Sequence, residues 1–591
     1  MPRISNGQAR TACADWIFIS ISKVSMGLGV AALAAAATAS GARADEVPAV
    51  LAALTTPQSL PHSTADHAKF KELQGPFASG PEVTAACLSC HTEAGDQVMH
   101  SLHWTWDYTH PVTGQELGKA NVINAFCGNV ASNETRCTSC HAGYGWTDVR
   151  QSPPPDATRV DCLACHDNSG QYAKQDNLAG HPPLDPVAPG AKTITGALAT
   201  AVDLGLAARS VGMPTRENCG SCHFYGGGGD NVKHGDLSSV LYHPSVDVDV
   251  HMSADGANFT CQSCHETMDH QVAGSRYHTD VDDRGADRAP GAARGTASCV
   301  SCHGERPHPQ TSVVGVKLND HTDRVACESC HIPSFARGGV ATKTWWDWSE
   351  AGRLDANGKP IHEDGYVQGD GRHLHTYLST KGVFRWGENV VPYYTWFDGD
   401  MTFTLAEDQI DPTAVVSINT PQGSATDPQS RIFPFKRMQG KQVYDAGLNR
   451  LAMSHVYGPT TDTAFWTNFD WDKSVPVAMA YAGQEFSGQI GFVETEMFWP
   501  IAHQVAPAKD AVQCEECHAT GGGRMASVPG VYLPGKGPGP AGWIGMVLVA
   551  LAAMAVIGHS ILRLFGKGGG HHDDDDDDAP CATFFGGPKN G

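Results

Sequence analysis

Sixteen of the 19 cysteines stand in eight pentapeptides of one form, CxxCH. They are Cys87, Cys90 and His91; Cys137, Cys140 and His141; Cys162, Cys165 and His166; Cys219, Cys222 and His223; Cys261, Cys264 and His265; Cys299, Cys302 and His303; Cys327, Cys330 and His331; and Cys514, Cys517 and His518. Two thiols at this spacing can add to the two vinyl groups of one porphyrin, and a histidine directly after the second thiol reaches the iron from the same side. A lone CxxC would equally suit half a zinc site or a redox dithiol. A disulfide framework gives no reason for a histidine after every second cysteine. Eight copies therefore predict eight covalently attached haem c groups, with the eight motif histidines as proximal ligands.

Of the 29 histidines, 21 lie outside these motifs. Electron-transfer haems carry a second axial side chain, usually histidine or methionine, so the surplus predicts distal ligands. Position near a motif or in aromatic-rich sequence selects His67, His100, His103, His234, His251, His270, His308, His321, His455 and His503. His571 and His572 adjoin an aspartate run and are excluded. Three cysteines remain over, Cys13, Cys127 and Cys581.

The elements that must hold these groups are unevenly distributed. Seven motifs crowd between Cys87 and His331, where Gly, Pro, Asp and Asn are frequent and periodicity is weak. The expected fold is a multihaem cytochrome c, mostly α and irregular structure organised around eight covalent haems, with a C-terminal transmembrane helix. Seven haems would belong to residues 45–331. The motifs closest in sequence, at Cys137 and Cys162 and at Cys299 and Cys327, are expected to mark haems in near contact. Residues 332–513 carry no motif but hold eight of the 13 tryptophans, and should wrap the array. The eighth motif falls in 514–523.

Arg3, Arg10 and Lys23, the apolar run from Met26 to Ala39, and Ala42 and Ala44 ahead of Asp45 read as a secretory signal over 1–44. After a Gly/Pro linker over 524–540, the apolar stretch 541–565 is long enough to span a bilayer. Arg563 and Lys567 then place its end in the cytoplasm, followed by an acidic tail over 566–591. The expected location is periplasmic, anchored to the inner membrane. Six aspartates, Asp573 to Asp578, contribute to a net charge of -22, and this acidity excludes a nucleic-acid role.

Several stretches together resemble the octahaem tetrathionate reductase family: SGPEVTAACLSCHTEA before and around Cys87, HWTW from His103, NAFCGN around Cys127, RCTSCHAGYGW from Arg136, DCLACHDNSGQYAK from Asp161, CGSCHFYGGGGDNVKHGDL from Cys219 and NFTCQSCHETMDH from Asn258. The resemblance runs from about Ala65 to Gly523. It implies His/His ligation at most haems and a lysine, here Lys174, at the catalytic haem, the second in chain order with His141 proximal. It also places Cys127 near that lysine. Lysine binds metal only as the neutral amine, which burial favours. Arg136, Asp161 and Asp167 flank the same motifs and are candidates for anion binding or proton relay. The implied activity is multielectron reduction of a small inorganic sulfur or nitrogen oxyspecies, tetrathionate to thiosulfate, or nitrite or hydroxylamine. A membrane quinol-linked or cytochrome donor would supply the electrons, and a non-catalytic electron conduit is the competing class.

Overall fold

The computed structural model describes residues 64–279, 297–458, 460–519, 523–531 and 539–565. The expected signal segment, part of the linker, the acidic tail, Cys13 and Cys581 lie outside them.

Helices in the motif-bearing part are short, and local chemistry starts them. Gly80–Leu88 begins where Ser79 Oγ accepts from Glu82 N, and Arg216–His223 begins with a reciprocal capping box between Thr215 and Asn218. The Asp161 side chain accepts from Ala164 N at the start of Cys162–His166. Such caps satisfy backbone donors that a one- or two-turn helix leaves open. Cys162–His166 and Cys327–His331 are single helical turns spanning whole motifs. On one turn, cysteines three residues apart share a face, with the histidine one position further round.

The expectation of a mostly α chain needs correction. The haem-free segment is built on a nine-stranded sheet. Its spine is the antiparallel pair Arg431–Asp445 and Ile490–Pro500, in register from Phe435 opposite Pro500 to Asp445 opposite Ile490. Thr342–Asp347 pairs parallel to the other edge of Arg431–Asp445, then leads to Gly382–Gly387. Tyr393–Phe397 pairs with the first residues of the same long strand. Gly440 permits this crowding: a β-carbon there would stand 2.1 Å from the Trp346 carbonyl oxygen. Trp346, Phe435, Met438, Phe465, Met497 and Trp499 form the core on this sheet.

That core continues into the motif-bearing part. Phe126 packs on Trp346 and Trp499, and the Trp348 indole donates to Phe126 O at 3.0 Å. Asn133 Nδ2 donates to Ser454 O, while Asp236 and Asp249 carboxylates accept from the main chain of residues 502–505. Pro540–Phe565 is a 26-residue helix with exposed apolar side chains, and an 18-residue stretch of it has a mean hydropathy of 2.2. At 1.5 Å per residue the helix is about 39 Å long, enough to cross a bilayer core.

Candidate functional site

Seven motif histidines each face a histidine from elsewhere in the chain. Ring centroids are 6.2 Å apart for His91 and His67, 6.4 Å for His166 and His270, and 6.2 Å for His223 and His103. They are 6.2 Å apart for His265 and His503, 5.9 Å for His303 and His251, 6.2 Å for His331 and His308, and 6.0 Å for His518 and His321. Two imidazoles bonded to opposite sides of one metal, with bonds of about 2 Å, have centroids near this separation. In several pairs Nδ1 is already engaged with an oxygen: His166 with Gly212 O, His265 with Ala273 O, His270 with Gln97 Oε1, His308 with Asn319 Oδ1 and His503 with Asp236 Oδ2. That bond fixes the tautomer and leaves Nε2 as the lone-pair donor. Burial pushes His103 and His270 below the ordinary imidazole range and His223 down to about 3, keeping them in the neutral form a metal requires. These residues fit covalent haem c, and all 17 described cysteines are free of disulfides.

Of the ten spare histidines selected from sequence, His100, His234 and His455 are set apart from these pairs. His100 is exposed and bonds Asp96 O. His234 lies edge-on to Trp499 at 5.0 Å. His455 spends both ring nitrogens, on Ser132 O and Thr461 Oγ1.

The thiols also show which motifs are neighbours. Cys87 lies within hydrogen-bond reach of Cys162, Cys140 of Cys222, Cys219 of Cys261 and Cys299 of Cys327. The last is one of the two close pairs expected from spacing. Cys140 and Cys162 take different thiol partners, while the Cys137 and Cys162 motifs adjoin through Asp161 N donating to Ala142 O at 2.9 Å.

His141 differs from the other seven. Among the described residues no histidine ring faces it; Trp104, Trp106 and Trp146 surround it at 5.0, 5.3 and 4.8 Å. Its Nε2 contacts Trp104 O at 2.7 Å, Nδ1 is buried without a partner, and burial pushes its pKa down to about 3. Lys174 is beside it, 3% exposed. Lys174 Nζ donates to the main-chain oxygen of His141 and pairs with Asp161 Oδ2 at 3.1 Å. The Asp161 carboxylate also accepts from Tyr144 Oη and Tyr172 Oη, each at 2.8 Å, and from Ala164 N. Lys174 thus meets the backbone of the second motif, while the His141 ring is turned onto Trp104.

Arg136 ion-pairs with Asp176 at 2.5 Å and lies 5.1 Å over the Trp466 ring. Cys127 is half-buried and packs against the sheet core; burial first, and the Cys127 thiol second, push the Cys137 thiol up. Asp167 caps the Ser169 turn. Sequence reading passed over Tyr144, Tyr172, Lys343 and Lys381. The tyrosines stand inside the AGYGW and QYAK stretches, so they were within reach; the lysines look like strand and turn surface charges.

His110, His278 and Asp400 form the one group among the described residues spaced for a cation. His110 Nδ1, however, accepts from Val112 N and Thr113 N. Nε2 must then carry the proton and point it toward Tyr277 O and Asp400, the reverse of what a metal ligand needs.

Repeated motifs with matched histidine pairs define a multihaem cytochrome c, which binds haem c covalently and carries electrons. Residues 343–521 match the family model described as bacterial cytochrome c. The crystal structure of octaheme cytochrome c from Shewanella oneidensis is 38% identical, over 79% of this chain and 97% of that one, with a TM-score of 0.65. An uncharacterized protein of Archaeoglobus fulgidus is 23% identical over 257 residues, 36% of this chain and 82% of its own. The chain belongs to the octahaem cytochrome c family.

Proposed function

We propose that this chain is an exported octahaem reductase in which seven haems with paired histidines feed electrons to a reaction site at the Cys137 motif. The observation that carries this reading is the asymmetry of axial partners: seven motif histidines face a second histidine, and His141 faces tryptophan with a buried lysine alongside. When bound, haem c supplies the one-electron centres and, at the second motif, a metal that can exchange its sixth ligand.

The chain's own residues prepare that position. Asp161, held by two tyrosine hydroxyls and a backbone amide, retains Lys174 beside the motif. For Lys174 to offer its amine to a haem held here, Nζ would have to leave Asp161 and the His141 carbonyl, and His141 would have to turn from Trp104 O. The tryptophans keep water from the imidazole, and Arg136, ion-paired with Asp176, stands at the start of the motif. The preferred reaction is tetrathionate plus two electrons giving two thiosulfates, with cleavage of the central S–S bond; nitrite and hydroxylamine reduction are alternatives. A quinol-linked or cytochrome donor at the inner membrane, reached through the anchor Pro540–Phe565, would supply the electrons from the periplasmic side.

The test is turnover. Purified holoprotein with reduced viologen is expected to consume tetrathionate, nitrite or hydroxylamine, and Lys174→Met to change the absorption and paramagnetic spectrum of one haem only. No turnover with any of the three would leave an electron conduit, the reading that the seven paired histidines favour by themselves.

A further inference from the structure

Lys343, on the strand Thr342–Asp347, is 5% exposed. Its Nζ lies 3.4 Å from the Phe384 ring centroid, 3.9 Å from Trp346 and 5.2 Å from Trp386. Among the described residues it has no hydrogen-bond acceptor and no carboxylate partner. The charged and titratable groups that act on it are Lys381, Lys436 and Cys127. Lys436 is fully occupied, donating to Val232 O, Lys233 O and Thr342 Oγ1. Lys381 lacks an acceptor as Lys343 does; its Nζ lies 5.1 Å over the Trp466 ring, where Arg136 also lies at 5.1 Å. Arg136 is answered by Asp176. Two buried lysines near Cys127 therefore lack a hydrogen-bond acceptor among the described residues; burial pushes both toward the neutral amine, and Cys127 and, for Lys381, Asp176 work against that shift.

Burying an ammonium without an anion is costly, and aromatic faces return only part of that cost. A lysine that burial holds toward the neutral amine takes up its proton, and the charge is balanced, when a ligand brings the opposite sign. We infer that Lys343, with Lys381, is a specificity-determining contact for an anionic oxygen group, and that this group belongs to a small dianionic substrate held beside Cys127. The inference rests on reading the Cys137 motif as the reaction site, and it narrows the substrate class there. Two lysines that take up protons as an anion binds favour a dianion such as tetrathionate over the monoanion nitrite, and over neutral hydroxylamine most of all. The same chemistry could be met by a propionate of the porphyrin, so the experiment must separate the two sources.

The experiment is calorimetric binding of dithionate, a dianion resistant to reduction, to the full-length holoprotein, with a potentiometric titration of the haems in parallel. The wild-type protein is expected to bind it. Lys343→Met should weaken that binding about tenfold to a hundredfold, the effect of one charged hydrogen bond, and weaken nitrite binding less, while Lys343→Arg restores most of the loss. Lys381→Gln, at a half-buried turn, should shift affinity in the same direction, and serves if Lys343→Met does not fold. Unchanged dithionate affinity in these variants, or no binding by the wild type, overturns the inference. So does a shifted midpoint potential of one haem with dithionate affinity unchanged, which would assign the lysines to a propionate. If dithionate binds as expected but no substrate is turned over, the reductase reading fails and this anion site stands.

Discussion

The paired motifs and the Cys137 motif use the same pentapeptide to different ends. At the seven paired positions a second imidazole is carried in by a remote segment, and in three of these pairs Nδ1 contacts, five in all, fix the rings in place. Such a site is rigid on both sides, which suits electron transfer with little rearrangement. At Cys137 the surroundings are tryptophan, lysine, carboxylate and two phenols, groups that hold and release rather than clamp. The difference lies outside the motif, in what the rest of the fold brings to its far side.

The comparison can be broken most decisively at the odd member. Cys137→Ala with Cys140→Ala should yield a protein lighter by one haem in intact mass and lower in turnover by about three orders of magnitude or more. His67→Ala, at a paired site, should change the spin state of one haem by paramagnetic resonance and leave most turnover in place. If the two variants lose activity equally, the division is wrong. Asp161→Asn leaves the buried Lys174 without its anion. It should lower stability by about 3–5 kcal/mol in denaturant unfolding, against a change within about 0.5 kcal/mol for the exposed His100→Ala.

A smaller effect distinguishes the sheet from the haem regions. Burial alone would raise the Asp445 pKa, but hydrogen bonds from Ser487, Leu448 and Gly447 outweigh it and hold the carboxyl below its ordinary range. A depressed carboxyl contributes stability above its unfolded pKa and loses it as pH falls through the folded one. Asp445→Asn should therefore flatten the acid limb of the stability profile below about pH 4. The smallest expected change is in His455→Ala, whose ring is spent on Ser132 O and Thr461; haem spectra should be unaltered.

Much of the metal-binding pattern was legible in sequence because CxxCH is a local chemical signature that survives without knowledge of the fold. The structure sets seven of the ten selected spare histidines opposite a motif histidine. It leaves aside His100, His234 and His455, whose sequence neighbourhoods look no different; only long-range packing separates them. The sheet was harder to read. In Arg431–Asp445 the alternation is broken by Pro434, by the fully buried Lys436 and by Gly440, so a 15-residue strand lacks a clean period of two. Lys343 and Lys381 carried no signal at all, since a lysine next to tryptophan usually covers the ring and keeps its charge in water.

The thiol contacts give the array a connectivity distinct from chain order. The Cys219 motif is a junction: Cys222 reaches Cys140, Cys219 reaches Cys261, and Cys165 lies within the electrostatic field of Cys219. The Cys87 motif touches Cys162 and ends a branch. In circuit terms the fourth motif is a node where several branches meet, and the second motif has a further neighbour in the third, through Asp161 N donating to Ala142 O at 2.9 Å.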